Sequence, residues 1–519
     1  MKPSLCISIR FIQPFPLFHG RADADEPEWP PSPMRVFQAL LNSACLRTQG
    51  RLLSAELRFA IQVLEVVRPM IVAPRATLSL VGYRAYVPHN QFDLVTSAWY
   101  RGNVNASIAS HRMEKDIHPY RIEVLGGELP TVHYYYPLED TDADPIELLN
   151  TIRPAVRSIY SLGWGIDQVA SDATLVEADS AFSSDECWTP TPRGGRRLRI
   201  HRDGSFDALS DRHERFLKRL DNGNWTPVPP FSAFDTVRYR RDSDPIPLPC
   251  AVFKLLDADD DTYSYSLSKL IHISGMVRHL AIEQMKLNPP RDLRDYSFDD
   301  WLGSYVAGHQ THENKAAKKP HSQFSFVPLP SIGHEHTDPS IRRVMVIAPL
   351  GDDAWLEHLC RQLDGELLKP LPNTSIPPGT HLELVRAGTK DGVRDRYTCA
   401  TNSWASFTPV ILPGHDDHKP DKTRKLIERT LAQSGIEQPC TFEWSAFSHF
   451  RKSFSAHKYD KDKRLIGYVR PDHLLNQTAV HLKLKFADDM KVPGPLTLGA
   501  GRHCGFGLMV GIDSNSESF

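Results

Sequence analysis

No stretch of this chain approaches the roughly 20 consecutive apolar residues that a membrane helix needs, so neither a spanning helix nor a membrane partner is expected. Cysteine is scarce: eight in 519 residues, with no CxxC pair and no regular spacing. That argues against a thiolate zinc site or a disulfide framework and suits a reducing, cytoplasmic setting. The opening MKPSLCISIRF meets Arg10 too soon to read as a signal peptide. An excess of one charge is missing as well, since 61 Lys and Arg stand against 63 Asp and Glu. A protein gripping bare duplex DNA over a wide face would be more basic, so any nucleic-acid site here has to be a local patch. Histidine is what the chain has in quantity: 23 side chains suited to proton exchange near neutral pH.

A chain of this length outgrows one hydrophobic core, so two or three domains are expected. Leu5, Ile7 and Ile9 alternate with polar neighbours and predict a first strand. WPPSP at 29–33 restricts the backbone ahead of a helix over 34–46, with Ser32 as its cap. A second helix over 54–70, strand-like stretches at 77–87 and 132–136, and a helical stretch at 154–162 follow. SLGWGID at 161–167 sets two glycines around a tryptophan. Residues 185–250 lack periodicity and read as a long irregular connection with local strands, so the boundary falls near 245. This gives residues 1–245 and 246–519 as the two domains.

The second half is more regular. Strand 251–256, helix 267–285, strands 324–330 and 342–350, helix 354–363 and strand 381–385 give the order of a ferredoxin-like or RNA-recognition-type sheet. A strand at 406–412, a helix at 421–433, a strand at 440–447 and AVHLKLKF at 479–486 suggest a second such unit. The fold class expected is therefore α+β, with tandem ferredoxin-like domains and long loop insertions. DADDD at 257–261 lacks the spacing of an EF-hand loop.

Two constellations carry chemistry. PGPLTLGAGRHCGFGLM at 493–509 sets Gly499, Gly501, Gly505 and Gly507 around Arg502 and His503. Dense glycine lets a backbone approach a ligand and form an anion-receiving nest, and Arg502 would add a charged partner for a phosphate. The same composition also suits a tight turn between strands. The lysine and hydroxyl residue of a P-loop are absent. Phe506 in this loop, with Phe324 and Phe326 on a strand, offers aromatic surface for base stacking if solvent reaches it, though a core face is the default. The second constellation is His309, His312, His321, His334 and His336. His334 and His336 form an HxH pair that would need further ligands to hold zinc, and general acid-base work is the more economical use. No metal and no cofactor are expected.

WPPSPMRVFQALL at 29–41, SLGWGID at 161–167, GHQTHENKAAKKPHSQFSFVPLPSIGHEH at 308–336 and GPLTLGAGRHCGFGLM at 494–509 together resemble a known family. It is the type I-G (formerly I-U) CRISPR-associated fusion of a subunit capping the crRNA 5′ handle with a repeat-cleaving endoribonuclease. The resemblance spans both halves. It implies a first half shaped for the 5′ handle and a second half that binds and cuts precursor repeat RNA without metal. In that chemistry the ribose 2′-hydroxyl attacks the adjacent phosphate, leaving a 2′,3′-cyclic phosphate and a 5′-hydroxyl. The implied partners are repeat RNA, mature crRNA and other subunits of a type I interference complex.

Within the matching segment His309 and His321 lead as catalytic candidates, followed by His334 and His336. Lys315, Lys318, Lys319 and Arg502 are placed to offset phosphate charge, and His503 to help bind. A non-catalytic RNA-binding subunit and a metal-dependent phosphoesterase using His334 and His336 are the alternatives.

Overall fold

The computed structural model describes residues 3–22, 26–48, 53–79, 81–89, 91–124, 126–177, 186–221, 223–308, 322–332, 338–386, 389–457, 467–487 and 490–512. They form two compact units, Met1–Asp244 and Pro245–Phe519, in a mixed α+β fold of antiparallel sheets. Among these residues no helix is long and apolar enough to cross a membrane.

In the first unit the elements run β1 (Ser4–Phe11), α1 (Pro33–Arg47), α2 (Ala55–Glu65), β2 (Met70–Ala73), β3 (Thr131–Pro137), α3 (Pro145–Val156) and β4 (Val169–Val176). Then come β5 (Glu186–Thr191), β6 (Arg196–Ile200), α4 (Ser205–Leu217) and β7 (Asp235–Arg241). One sheet takes the order β6-β7-β5-β2-β3-β1-β4. The alternation in β1 sends Leu5, Ile7, Ile9 and Phe11 into the core, each fully buried, because successive strand side chains leave opposite faces.

α1 begins where the proline run predicts, but Ser32 caps it with no side-chain bond. The Ser32 amide donates instead to Glu28 Oε1 at 2.6 Å, and Arg35 pairs with the same carboxylate at 2.9 Å. The cap at α3 is the ordinary one, Asp144 accepting from the Glu147 amide at 2.8 Å. That helix starts at Pro145, earlier than the expected 154, because Pro145 and Asp144 form a start signal.

The reading of 185–250 as an irregular connection needs correction. β5, β6 and β7 extend the sheet, and α4 lies between β6 and β7. β6 and β7 are short, and their alternating apolar residues, Leu198 and Ile200 in one and Val237 and Tyr239 in the other, stand among arginines, so the apolar signal is weak.

The second unit begins with β8 (Cys250–Leu256), α5 (Leu270–Leu287), β9 (Ser325–Pro330), β10 (Ile341–Ile347), α6 (Asp353–Leu363) and β11 (His381–Leu384). Their sheet order is β9-β10-β8-β11. β12 (Ser403–Ser406), β13 (Val410–Ile411), α7 (Pro420–Gln433), β14 (Cys440–Ser445), β15 (Ala479–Phe486) and β16 (Met509–Gly511) follow. β12 and β13 lie along the same side of β15, β14 pairs on its other side, and β16 pairs with β12.

One pattern recurs. Numbering the strands of each strand-helix-strand-strand-connection-strand run from one to four, the spatial order is 2-3-1-4 for β2-β3-β1-β4 and for β9-β10-β8-β11. It holds again for β14-β15-β12/β13-β16. Every pairing in these runs is antiparallel. In the first two runs a helix, α3 or α6, joins the third strand to the fourth; in the last, the glycine-rich segment does so.

Candidate RNA-contact site

The glycine-rich segment folds back on itself. Leu498 donates to the Gly507 carbonyl at 3.0 Å, and Met509 to the Leu496 carbonyl at 3.0 Å. Between them Arg502–Cys504 forms one turn of 3₁₀-helix. At Gly507 the backbone has φ +62°, and a Cβ would lie 1.9 Å from the Leu498 carbonyl oxygen. At Gly505 φ is +99°, and a Cβ would press within 3.0 Å of both Pro328 on β9 and Leu270 on α5. Only glycine fits such positions. The segment is therefore wedged against the preceding sheet.

Many of its amides already have acceptors. Gly499 donates to Ser434 Oγ, Ala500 to the Ile411 carbonyl, Cys504 and Phe506 to the Gly501 carbonyl, and Gly507 to the Pro409 carbonyl. An anion therefore meets side chains here more than a wholly open backbone nest. Phe506 is wholly buried, its ring 6.1 Å from that of Tyr468, so it offers no face to a base. Phe324 and Phe326 are core residues too, each 1% exposed.

The polar groups left at this loop are Arg502 and His503. Arg502 Nη1 reaches the Gly499 carbonyl at 3.4 Å, while its Nε has no partner. Among the described residues no carboxylate pairs with it, and partial burial pulls its pKa below the ordinary arginine value. A half-buried, uncompensated guanidinium gains most from an incoming anion. His503 Nδ1 lies 2.7 Å from Ser325 Oγ on β9. Burial pushes the Cys504 thiol up to about 11, which keeps it a thiol near neutral pH and unsuited to nucleophilic attack.

His309, Lys315, Lys318, Lys319, His321, His334 and His336 lie outside the described residues. The flanks of 309–321 are described, and on the C-terminal side Ser325 meets the glycine loop. The Phe324 amide donates to the Tyr305 carbonyl at 3.0 Å, and the two rings meet edge-on at 4.8 Å. Tyr305 belongs to a π-helical turn, Leu302–Val306, and its hydroxyl donates to Asp352 at 2.5 Å, which Arg294 holds at 2.7 Å. Such turns often mark functional sites. One residue past Phe324, Ser325 meets His503.

The sequence reading also passed over a histidine. His272 Nδ1 lies 3.0 Å from the Tyr265 hydroxyl. Burial first, and Lys269 second, lowers its pKa, leaving a neutral imidazole near pH 7. A tyrosine seven residues ahead of a histidine in the first turn of a helix was the available signal. Elsewhere Lys254, Arg343 and His381 line a cleft of about 430 Å³ but pair with Glu383, Asp391 and Asp260. Among the described residues no group of three or more His, Cys, Asp or Glu is placed to hold a metal ion.

Comparison with known proteins gives the family. Residues 11–511 match the CRISPR-associated protein, GSU0054 family. The chain belongs to this family. The match spans both units of the GSU0054-family chain. No curated protein matches it. A solved structure of a CRISPR protein from Archaeoglobus fulgidus aligns at 11% identity over 38% of this chain and 68% of its own, with a TM-score of 0.18. A second, described as a characterization of a Cas6-related gene from Pyrococcus furiosus, aligns at 12% identity over 51% of this chain and 99% of its own, with a TM-score of 0.26. Both superpositions are too loose to carry an argument.

Proposed function

We propose that this chain is a metal-independent endoribonuclease that cuts precursor CRISPR RNA within its repeat and stays with the guide in a type I-G interference complex. Residues 246–519 bind and cut the repeat, and residues 1–245 hold the 5′ handle of the product. The protein works in the cytoplasm with repeat RNA, mature crRNA and other complex subunits as partners. The repeated 2-3-1-4 strand order supports reading the fold as successive ferredoxin-like units, a platform suited to RNA.

One observation carries the reading. The uncompensated Arg502 sits on a loop that touches, through His503 and Ser325, the foot of the segment bearing His309, Lys315, Lys318, Lys319 and His321. In the proposed reading, phosphate-binding charge and proton-transfer groups come together there because Ser325 closely follows that segment in sequence. In the reaction a histidine takes the proton from the 2′-hydroxyl as its oxygen attacks phosphorus. The bond from phosphorus to the 5′-oxygen breaks, and that oxygen receives a proton. Arg502 and a lysine offset charge growing on the phosphate oxygens.

His309 and His321 lead as the proton-transfer group, with His334 and His336 next. His272, already bonded to Tyr265, competes with them. Alanine replacement of each should leave RNA affinity within a few fold, while one of them lowers the single-turnover rate by roughly 100-fold or more. Parental rates in all five variants would reject these assignments and leave His449, His457 or a histidine-free mechanism. Tight binding of repeat RNA by a parent that never cuts it would leave a non-catalytic guide-binding subunit.

A further inference from the structure

The first unit contains a hydrogen-bonded chain of three side chains that RNA cleavage does not use. His19 follows the short strand Leu17–Phe18, Tyr83 opens the strand Tyr83–Pro88, and Asp167 ends the SLGWGID turn. His19 Nδ1 lies 2.5 Å from Asp167 Oδ1, and the His19 amide donates to Asp167 Oδ2 at 3.0 Å. Tyr83 Oη lies 2.6 Å from His19 Nε2. Asp167 is completely buried and His19 is 4% exposed, yet Tyr83 is 42% exposed. The Trp164 ring sits beside His19, 6.0 Å between centroids.

The polarity of this chain follows from its buried end. Asp167 accepts the proton on Nδ1, which makes Nε2 the acceptor for the Tyr83 hydroxyl. The lone pairs of the Tyr83 oxygen then remain for a group arriving from outside. Behind them stands a buried carboxylate, and nearby Arg35 is committed to Glu28 at 2.9 Å and to the Arg21 carbonyl at 2.6 Å. An acceptor backed by negative charge favours a neutral donor and opposes a phosphate oxygen.

Along an RNA strand each internal ribose has a phosphate on both sides. A 5′ end produced by 2′-hydroxyl attack is different, because it carries a free hydroxyl with no phosphate beyond it. We propose that Tyr83, backed by His19 and Asp167, accepts a hydrogen bond from the terminal 5′-hydroxyl of the guide RNA, with Trp164 offering a face to its first base. This rests on the proposed function, which supplies a guide with that terminus. The first unit thereby distinguishes guides cut by this chemistry from RNAs that begin with a phosphate.

The test is competition binding by the full chain, using four guide RNAs of one sequence. They carry a 5′-hydroxyl, a 5′-deoxy end, a 5′-phosphate, or a 5′-hydroxyl with a 2′-deoxy first sugar. The 5′-deoxy and 5′-phosphate guides should each bind roughly tenfold more weakly or worse, and the 2′-deoxy guide within about twofold of the first. Tyr83→Phe, which keeps the ring, should bring the 5′-hydroxyl and 5′-deoxy guides within about twofold of one another at an unchanged melting temperature, while the 5′-phosphate guide stays weaker because Asp167 remains. Asp167→Asn should shrink the phosphate penalty toward that of the 5′-deoxy guide.

Equal affinity of the parent for all 5′ ends overturns the inference while leaving repeat cleavage standing. Persistence of the preference for a 5′-hydroxyl over a 5′-deoxy end in a folded Tyr83→Phe protein overturns it as well. Loss confined to the 2′-deoxy guide would mean that the site reads an internal ribose, against the terminal assignment. Failure to bind any of the four would remove the functional reading beneath it.

Discussion

The two sheets of the second unit share one strand order and differ in their last connection. In the first, α6 leads from β10 towards β11 and buries Trp355, Leu356, Leu359 and Leu363. In the second, the path from β15 to β16 runs through the glycine loop, with Leu498, Phe506 and Leu508 buried and Arg502 and His503 beside β9. A helix closes a sheet with an apolar face and needs nothing more. A glycine loop closes it with backbone contacts, and Arg502 on it has no carboxylate partner among the described residues. In the proposed reading, the departure from the repeated pattern is where RNA is bound.

The largest effect expected from breaking this comparison is at Gly507. A valine there meets the Leu498 carbonyl and an unfavourable φ together, so the variant should lose more than about 4 kcal/mol in urea denaturation. On the helical side, Leu359→Ala should cost about 2–5 kcal/mol by the same measurement, yet leave RNA affinity of the folded protein unchanged. Arg502→Ala should do the reverse. Stability should hold, while binding to unrelated RNA sequences weakens and the slope of log affinity against log salt falls by about one. Loss of affinity for one sequence alone would make Arg502 a base reader.

A pH series on the first unit supplies a contrast that owes nothing to the loop. His201 is buried between Phe37 and Tyr136, donating from Nδ1 to the Glu65 carbonyl at 2.8 Å. Burial pushes its pKa down to about 4 from an ordinary 6.5. The unfolded chain therefore binds the proton more readily, and stability present above pH 6.5 is lost as pH falls towards 4. The loss should approach about 3 kcal/mol. Hydrogen exchange of the Thr131–Pro137 amides should report it, and His201→Leu should flatten the slope.

How much of this was legible in the sequence differs by region. Val480, Leu482, Leu484 and Phe486 alternate cleanly and all lie buried on β15, because a central strand with one apolar face announces itself. The proline run announced α1 in the same way. β5, β6 and β7 did not, since each offers only one or two core residues (Trp188, Leu198, Tyr239) among polar ones. Arg196 and Arg241 pack over Trp188, a grouping that no short window contains. The glycine loop was visible as a composition, but its wedging against Pro328 and Leu270 depends on residues far away in the chain. For the same reason Phe506, apparently available to a base, is core. His272 was hidden because its partner Tyr265 stands outside the helix that carries it.

The central claim is tested most directly by incubating the purified chain with end-labelled repeat RNA in excess EDTA and identifying the product ends. A single cut should leave a 2′,3′-cyclic phosphate and a 5′-hydroxyl. A 2′-deoxy sugar before the scissile phosphate should abolish cutting while binding stays within a few fold. Cleavage that vanishes in EDTA, or that proceeds across the 2′-deoxy sugar, would contradict it.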